Sequence, residues 1–240
     1  MTEQILVAAA VPYLAAGGNN NLLPIFEAAH SVMLASFSAA HNNDLTARHL
    51  PLYVEALFKV FPSNLSARQF RLAFKTLLAL TAPPSPLSTS QPLLPATLLE
   101  LLHERISRAS TVPLFPHSSS TAPDAAPEDL DELSEQTVLT LTVLDTLSQL
   151  PLDLLEEWLP LAADLINAID DAHMREICKE RLWQMFVDGE MDPDRSQVCH
   201  AWWSTVGGRE MVLFGREHGD SEEKAIMSGA LPAATGDSKL

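Results

Sequence analysis

The chain has 240 residues, of which 47% are hydrophobic and 19% are charged, and its formal net charge is -16 at pH 7. The apolar content is typical of a globular protein and excludes wholesale disorder, and the length suffices for one good core or two small ones. The acidic balance argues against nucleic acid as a partner, because a phosphate backbone requires a basic surface.

The charge is unevenly distributed along the chain. Residues 1–110 carry seven Lys or Arg and six Asp or Glu, whereas residues 111–240 carry eight and 25. Such asymmetry indicates two surfaces with different partners, although an ordinary acidic and soluble half is the alternative.

The first part of the chain reads as helices separated by prolines. Glycine is scarce, at nine residues, and proline is frequent, at 17, which favours helices with stiff turns over hairpins. The most apolar stretch, residues 5–16, contains Pro12 and is too short to cross a bilayer. The apolar periodicity predicts helices over residues 3–15, 22–39, 46–61, 66–82 and 95–108.

Residues 111–128 contain three consecutive serines and four prolines, and they are predicted to form a linker or a mobile loop. Residues 134–150 are ambiguous, because Leu139, Leu141 and Val143 alternate as in a strand. We predict a helix there, since the segment is long and Val143, Leu147 and Leu150 keep a helical spacing.

Three more helices are predicted after this segment, over residues 151–169, 172–187 and 194–203. Asp194 is the expected cap of the last helix, and the glycine pair Gly207-Gly208 is expected to close it. An apolar run then ends at Phe214, and we expect the polar remainder to be disordered.

A weak internal repeat supports an array of helices. Leu-Pro pairs at residues 50, 94 and 150 lie 44 and 56 residues apart, and each is expected to place proline in the first turn of a helix. A period near 44 is typical of armadillo or HEAT helical pairs. The sequence therefore predicts an all-α fold, as an irregular helical array or a small α-solenoid of HEAT- or armadillo-like pairs, in preference to a bundle.

In this interpretation the chain has four parts. An N-terminal helical half (1–110) is joined by the Pro/Ser-rich segment (111–128) to an acidic C-terminal helical half (129–215). A flexible tail (216–240) follows.

No catalytic signature is found in the sequence. It has no phosphate-binding loop, no nucleophile elbow and no glycine-rich dinucleotide turn, so we predict neither enzymatic activity nor a cofactor. A metal site would have to combine Cys178 and Cys199 with His173 and His200. Neighbouring helical residues point about 100° apart, which suits Cys199 and His200 poorly as joint ligands. We expect buried structural cysteines and no metal.

Two groups of side chains are candidates for binding a partner. Trp202, Trp203 and Phe214 gather aromatic area near the end of the predicted helices, and tryptophan is enriched at interface hot spots. Packing of the last helix onto the array explains the same residues equally well. Arg68, Arg71 and Lys75 form a basic stripe at helical spacing that could meet an acidic partner, with a solvated helix face as the alternative.

The chain ends in Ser238-Lys239-Leu240. A Ser-Lys-Leu tripeptide at a free C-terminus is a peroxisomal targeting signal, which is read by a soluble import receptor and not by a membrane. The residues before it, 230–236, are small and are expected to be flexible and exposed. The sequence therefore predicts a peroxisomal protein that the import receptor recognises through these three residues.

Four segments together resemble the fungal peroxin-eight family: residues 50–77, 91–102, 150–169 and 189–215, with the terminal Ser-Lys-Leu. The resemblance implies a non-enzymatic protein on the matrix side of the peroxisomal membrane, attached peripherally through its partners. It further implies an adaptor that connects the receptor-docking complex with the RING-finger complex, assists matrix-protein import and aids cargo release.

Two other interpretations stay open at this point. The chain could be another peroxisomal matrix protein, such as a small enzyme with an unrecognised site. It could also be a cytosolic helical adaptor whose last three residues match the signal by accident.

We predict that the terminal tripeptide is the principal import signal. Deleting Leu240, or adding one residue after it, should leave the protein in the cytosol, because the receptor requires the leucine and the terminal carboxylate together. Fluorescence microscopy of a fusion at the N-terminus measures this against the unaltered chain. Peroxisomal localisation of both variants, in cells where no partner can carry them in, would contradict the prediction.

Overall fold

The computed structural model describes residues 2–17, 22–39, 43–114 and 133–216, and these residues form helices joined by turns. The only strand-like pairing among them is a single bridge between Pro113 and Ser134, so the all-α prediction is confirmed. In chain order the helices are α1 (Thr2–Ala15), α2 (Leu23–Ser38), α3 (Asn43–Val60), α4 (Ala67–Thr81), α5 (Pro86–Ser90), α6 (Leu94–Ser107), α7 (Glu135–Leu147), α8 (Leu152–Asn167), α9 (Ala172–Val187), α10 (Pro193–Thr205) and α11 (Gly208–Phe214).

Most helices pack against helices close to them in the sequence. The helix α1 packs on α2 and α3, and α2 also contacts α4. Further along the chain, α8 contacts α9, α10 and α11, and α10 contacts α9 and α11. Contacts between near neighbours are those of a helical array, which is the architecture predicted from the sequence.

The helix α7 lies at the centre of this array and packs against α4, α6, α8 and α9. Every residue of α7 except Gln136 is buried. Among the described residues, a cluster of buried hydrophobic side chains extends from α1 to α11 through this helix. The division of the chain into an N-terminal and a C-terminal half stays a prediction, and α7 is the element that packs against helices from both.

The sequence of α7 explains how a helix with four threonines can be buried. The hydroxyl of Thr140 donates to the Gln136 carbonyl at 2.9 Å, and that of Thr142 donates to the Val138 carbonyl at 2.8 Å. Ser134 caps the helix by accepting from the Thr137 amide at 3.2 Å. The Thr137 hydroxyl contacts Ser134 and the sulfur of Met174. Because the threonine hydroxyls have hydrogen-bond partners, burial costs little, and the predicted helix is confirmed over the strand-like alternation.

Several details differ from the predictions. The short helix α5, which Ser85 caps, was not predicted after the two prolines. Asp192, and not Asp194, caps α10, because Pro193 occupies the first helical position, where its missing N–H is not needed. Pro51 lies inside α3, which begins eight residues earlier, so the first Leu-Pro pair does not open a helix.

The predicted linker and tail fall largely outside the described residues. Of the linker, residues 111–114 are described, and the Leu114 amide donates to the Leu133 carbonyl at 2.9 Å. This contact holds the residues that follow α6 beside those that precede α7. Among the described residues, no helix combines the length and the apolar character needed to cross a membrane.

A buried histidine and tyrosine join α2 to α3. The Tyr53 hydroxyl lies 2.7 Å from Nδ1 of His30, and the two rings stack with centroids 5.3 Å apart. Phe37 packs edge-on against Tyr53 at 5.5 Å. Burial lowers the pKa of His30 to about 4, because the apolar surroundings disfavour the imidazolium.

The lowered pKa of His30 leads us to predict that the protein loses stability in weak acid. Unfolded His30 would bind a proton near pH 6.5 and the folded side chain only near 4, so the free energy of unfolding should fall by about 3 kcal/mol between those values. Urea unfolding followed by tryptophan fluorescence at pH 7, 6 and 5 measures this. The variant His30→Asn keeps an acceptor but cannot become charged, and its stability should fall less over the same range. If the free energy of unfolding falls equally with pH in both proteins, protonation of His30 is not the cause of the loss.

Candidate partner-binding site

Aromatic side chains of α9 and α10 meet at the surface of the C-terminal half. The rings of Trp183 and Trp203 have centroids 5.8 Å apart, and Phe186 packs edge-on against Trp203 at the same distance. Trp183 is 48% exposed and Val187, one turn later, is 55% exposed, whereas Trp203 and Phe186 are partly buried against the core. We call these four residues the aromatic surface.

The periodicity of α9 places Trp183 outside the core. Cys178, Leu182 and Met185 are buried on the inner side of the helix, and a residue that follows Leu182 directly points about 100° away from it. Val187 lies four residues after Trp183 and therefore shares its face. Because other residues of α9 occupy its buried side, the large apolar side chain of Trp183 is left in contact with water.

The helix α10 is fixed at its start by polar contacts. Asp192 caps it by accepting from the Arg195 amide at 3.0 Å, and Nε of Arg195 donates to the Leu150 carbonyl at 2.7 Å. The second contact ties α10 to the segment just before α8. Trp203 is thus presented from a helix that has a defined orientation.

The three aromatic residues predicted from the sequence lie in different environments. Trp202 is buried, at 5% exposure, whereas Phe214 at the end of α11 is 60% exposed and Trp203 lies in between. A Cβ atom on Gly208 would lie 2.5 Å from a carbon of the Trp202 indole, so only glycine allows α11 to pack against that ring. The core explanation therefore fits Trp202, and a binding role remains a prediction for Trp203 and Phe214.

The predicted basic stripe on α4 is engaged within the chain. Nε of Arg71 donates to Asp145 at 2.8 Å, and Lys75 lies 3.7 Å from Glu190. Arg68, at the start of the helix, is exposed. A partner surface made by this stripe stays a prediction, and Arg71 and Lys75 have acidic neighbours in the same molecule.

Asp145 is the centre of an ionic network. Its second carboxylate oxygen accepts from Nε of Arg181 at 2.7 Å, and Arg181 also forms a bidentate pair with Glu190 at 2.6 and 3.0 Å. The side chain of Asp145 is only 10% exposed. The Arg181 guanidinium lowers the pKa of Glu190, so this carboxylate stays charged at pH values below those at which a glutamate is usually protonated. The network joins α4, α7, α9 and the turn after α9.

The two cysteines are buried, as expected for structural residues. Burial raises the pKa of both Cys178 and Cys199 to about 12, so neither thiol ionises at neutral pH. Sγ of Cys199 contacts the sulfur of Met191 at 3.4 Å. Within the described ranges, no group of three or more His, Cys, Asp or Glu side chains is placed to hold a metal ion.

Grooves between helices are found among the described residues. One, of about 570 Å³, separates α8 from α10, and the acidic side chains Glu156 and Asp194 line it together with Pro160 and Val198. Another, of about 540 Å³, lies between α3 and α6 and is lined mainly by apolar residues. The predicted targeting residues Ser238, Lys239 and Leu240 lie outside the described residues.

The fold and the surface together define an all-helical array protein with exposed aromatic area. Residues 45–210 match the family model described as the PEX8 C-terminal domain, and residues 1–38 match the PEX8 central TPR-like domain. The first match covers more than half of the chain. The chain therefore belongs to the PEX8 family, as the sequence resemblance indicated.

Curated yeast proteins are similar over most of this chain. Peroxisomal membrane protein PEX17 of Yarrowia lipolytica is 27% identical over 200 residues, which cover 78% of this chain and 29% of the relative. Peroxisomal biogenesis factor 8 of Komagataella phaffii is 25% identical over 216 residues, covering 77% and 30%. The chain thus spans under a third of the length of these curated relatives. No solved structure matches it at a significant level.

The Asp145 network predicts a large effect of a small change. Asp145→Asn should lower the free energy of unfolding by about 2–4 kcal/mol, because Arg71 and Arg181 would lose the carboxylate that compensates their partly buried charges. Chemical denaturation measures the loss. The matched control is Asp164→Asn, which removes a carboxylate from an exposed pair with Arg216 and should cost about 0–1 kcal/mol. Equal losses in the two variants would contradict a structural role for the network.

Proposed function

We propose that this chain is a peroxisome biogenesis factor that acts in matrix-protein import by binding other proteins. Membership of the PEX8 family supports this role, as do the names of its relatives, a peroxisomal membrane protein and a peroxisomal biogenesis factor. The terminal Ser-Lys-Leu gives independent support for a peroxisomal location and for the import receptor as one partner.

The aromatic surface is the observation that carries a binding function. Trp183 and Val187 are about half exposed and share one face of α9, and the Trp183 ring lies 5.8 Å from that of Trp203, on a protein that is strongly acidic overall. Exposed aromatic residues held by a rigid scaffold are favourable interface anchors, because few rotamers are lost on binding. The partner segment that fits this surface has an apolar anchor and flanking basic residues.

The finer role follows from the family resemblance. In this proposal the protein is a non-catalytic adaptor between the receptor-docking complex and the RING-finger complex, and it assists the release of cargo. It is held on the matrix side of the peroxisomal membrane by these partners. Phe214 is a second candidate anchor, since its side chain is exposed at the end of α11.

The test is capture of docking and RING-finger components by variants of the aromatic surface. Trp183→Ala and Trp203→Ala should each weaken binding, because loss of such an anchor typically costs about 2 kcal/mol or more, roughly a thirtyfold rise in Kd. Titration calorimetry or surface plasmon resonance with the purified components measures the change.

Two controls separate binding from folding. Leu93→Ala removes another apolar side chain, 75% exposed at a distant position in the sequence, and should leave binding unchanged. Trp202→Ala should instead unfold the domain, because a buried tryptophan contributes about 3–5 kcal/mol. If Trp183→Ala and Trp203→Ala stay folded and bind at full strength, the partner surface lies elsewhere, with Phe214 and then the stripe of Arg68, Arg71 and Lys75 as the next candidates.

A further inference from the structure

The first helix exposes an apolar face. Its inner residues Val7, Ala10 and Leu14 are buried in the core. The exposed residues on the opposite side, which we call the α1 outer face, are Ile5, Ala8, Ala9, Pro12 and Tyr13, with Leu6 at the edge. The exposure of Ile5, Leu6 and Tyr13 is 65%, 47% and 45%. No residue of this face carries a charge.

A helix of this composition is expected to be covered on all sides. Surface helices carry charged or polar residues opposite their buried stripe, whereas helices that are apolar all round are found inside proteins. Isolated exposed apolar residues need no explanation, but here they form a continuous face along α1. The alanines at its centre, Ala8 and Ala9, would let another helix approach closely.

The comparison with the family models indicates what covers this face. The α1–α2 pair corresponds to residues 1–38, which match the central TPR-like domain. In arrays of this kind each helical pair packs against the pair on either side, because a single pair cannot bury its apolar surface alone. On one side, α1 and α2 pack against α3, and α2 also packs against α4. The α1 outer face is on the side that these contacts leave open.

We propose that the α1 outer face is the stacking surface for a further helical pair of the TPR-like type. The relatives are long enough to contain such pairs, since the aligned region is 30% of the Komagataella phaffii protein. The order of the two family models along this chain places central TPR-like residues before the C-terminal domain. In a longer family member, α1 is thus an internal helix that links the two regions into one continuous core.

The proposal is tested by thiol labelling at the centre of the face. The two cysteines within the described residues are buried, so the variant Ala9→Cys introduces a reactive thiol on α1. A second protein carries the same substitution and is extended at its N-terminus by roughly 70 residues, about two helical pairs, taken from the part of the Komagataella phaffii factor outside the aligned region. We expect the labelling rate of the introduced thiol to fall at least tenfold in the extended protein. Glu100→Cys on the exposed side of α6 is the control, and its rate should not change.

Three results would overturn the proposal. The first is equal labelling of the Ala9→Cys thiol in both proteins while circular dichroism shows the extension to be helical. The second is concentration-dependent protection of that thiol in the chain without the extension, with a dimer detected by light scattering, which would assign the face to a second copy. The third does not depend on the extension: a cysteine placed in the intact Komagataella phaffii factor, at the position that the family model aligns with Ala9, should label slowly, and fast labelling there contradicts stacking.

Discussion

The arrangement of the helices depends on one carboxylate near the end of the central helix. Asp145 is buried on α7 and accepts from Arg71 of α4 and from Arg181 of α9. Hydrophobic burial is not directional and permits several registers between packed helices. A buried carboxylate permits few, because it is stable only where both guanidinium groups reach it. We infer that the network restricts how α4 and α9 are placed against α7.

The same network changes how the uneven distribution of charge along the chain is interpreted. The residues before position 111 are almost neutral in sum and those after it are strongly acidic, which favours separate surfaces. In the structure, Arg71 and Lys75 from the first region face Asp145 and Glu190 from the second. Part of the charge asymmetry is thus accounted for by ion pairs between the two regions of the same molecule.

Local rules predict much of the fold. A serine followed three residues later by glutamine is the pattern of a capping box, and Ser66 and Gln69 form one at the start of α4. Helices lie over all the segments with apolar stripes. The position of Asp145 in a run of apolar and threonine residues signals a buried charge with a counter-ion, but the counter-ions lie 74 and 36 residues away. Spacing along a helix carries no information about contacts over that distance.

The candidate site is harder to predict for the same reason. Adjacent tryptophans cannot share one environment on a helix, and Trp202 is buried beside Gly208 whereas Trp203 meets Trp183. Which tryptophan points inward depends on the position of α8 and α11, and these helices follow from the tertiary structure. Apolar periodicity alone includes Trp183 in the stripe of its helix, although Leu182 next to it already occupies the buried side.

The helices α1 and α7 show why apolar periodicity cannot distinguish a core helix from a stacking surface. Both are mainly apolar around most of their circumference and are therefore expected to be surrounded by protein. The central helix α7 meets neighbours on all sides, and the charge of its Asp145 is paired within the chain. The terminal helix α1 packs on α2 and α3 and exposes the side that faces away from them. An apolar circumference completes the core at α7, because other helices cover it. At α1 it leaves an exposed apolar surface that another helix can cover.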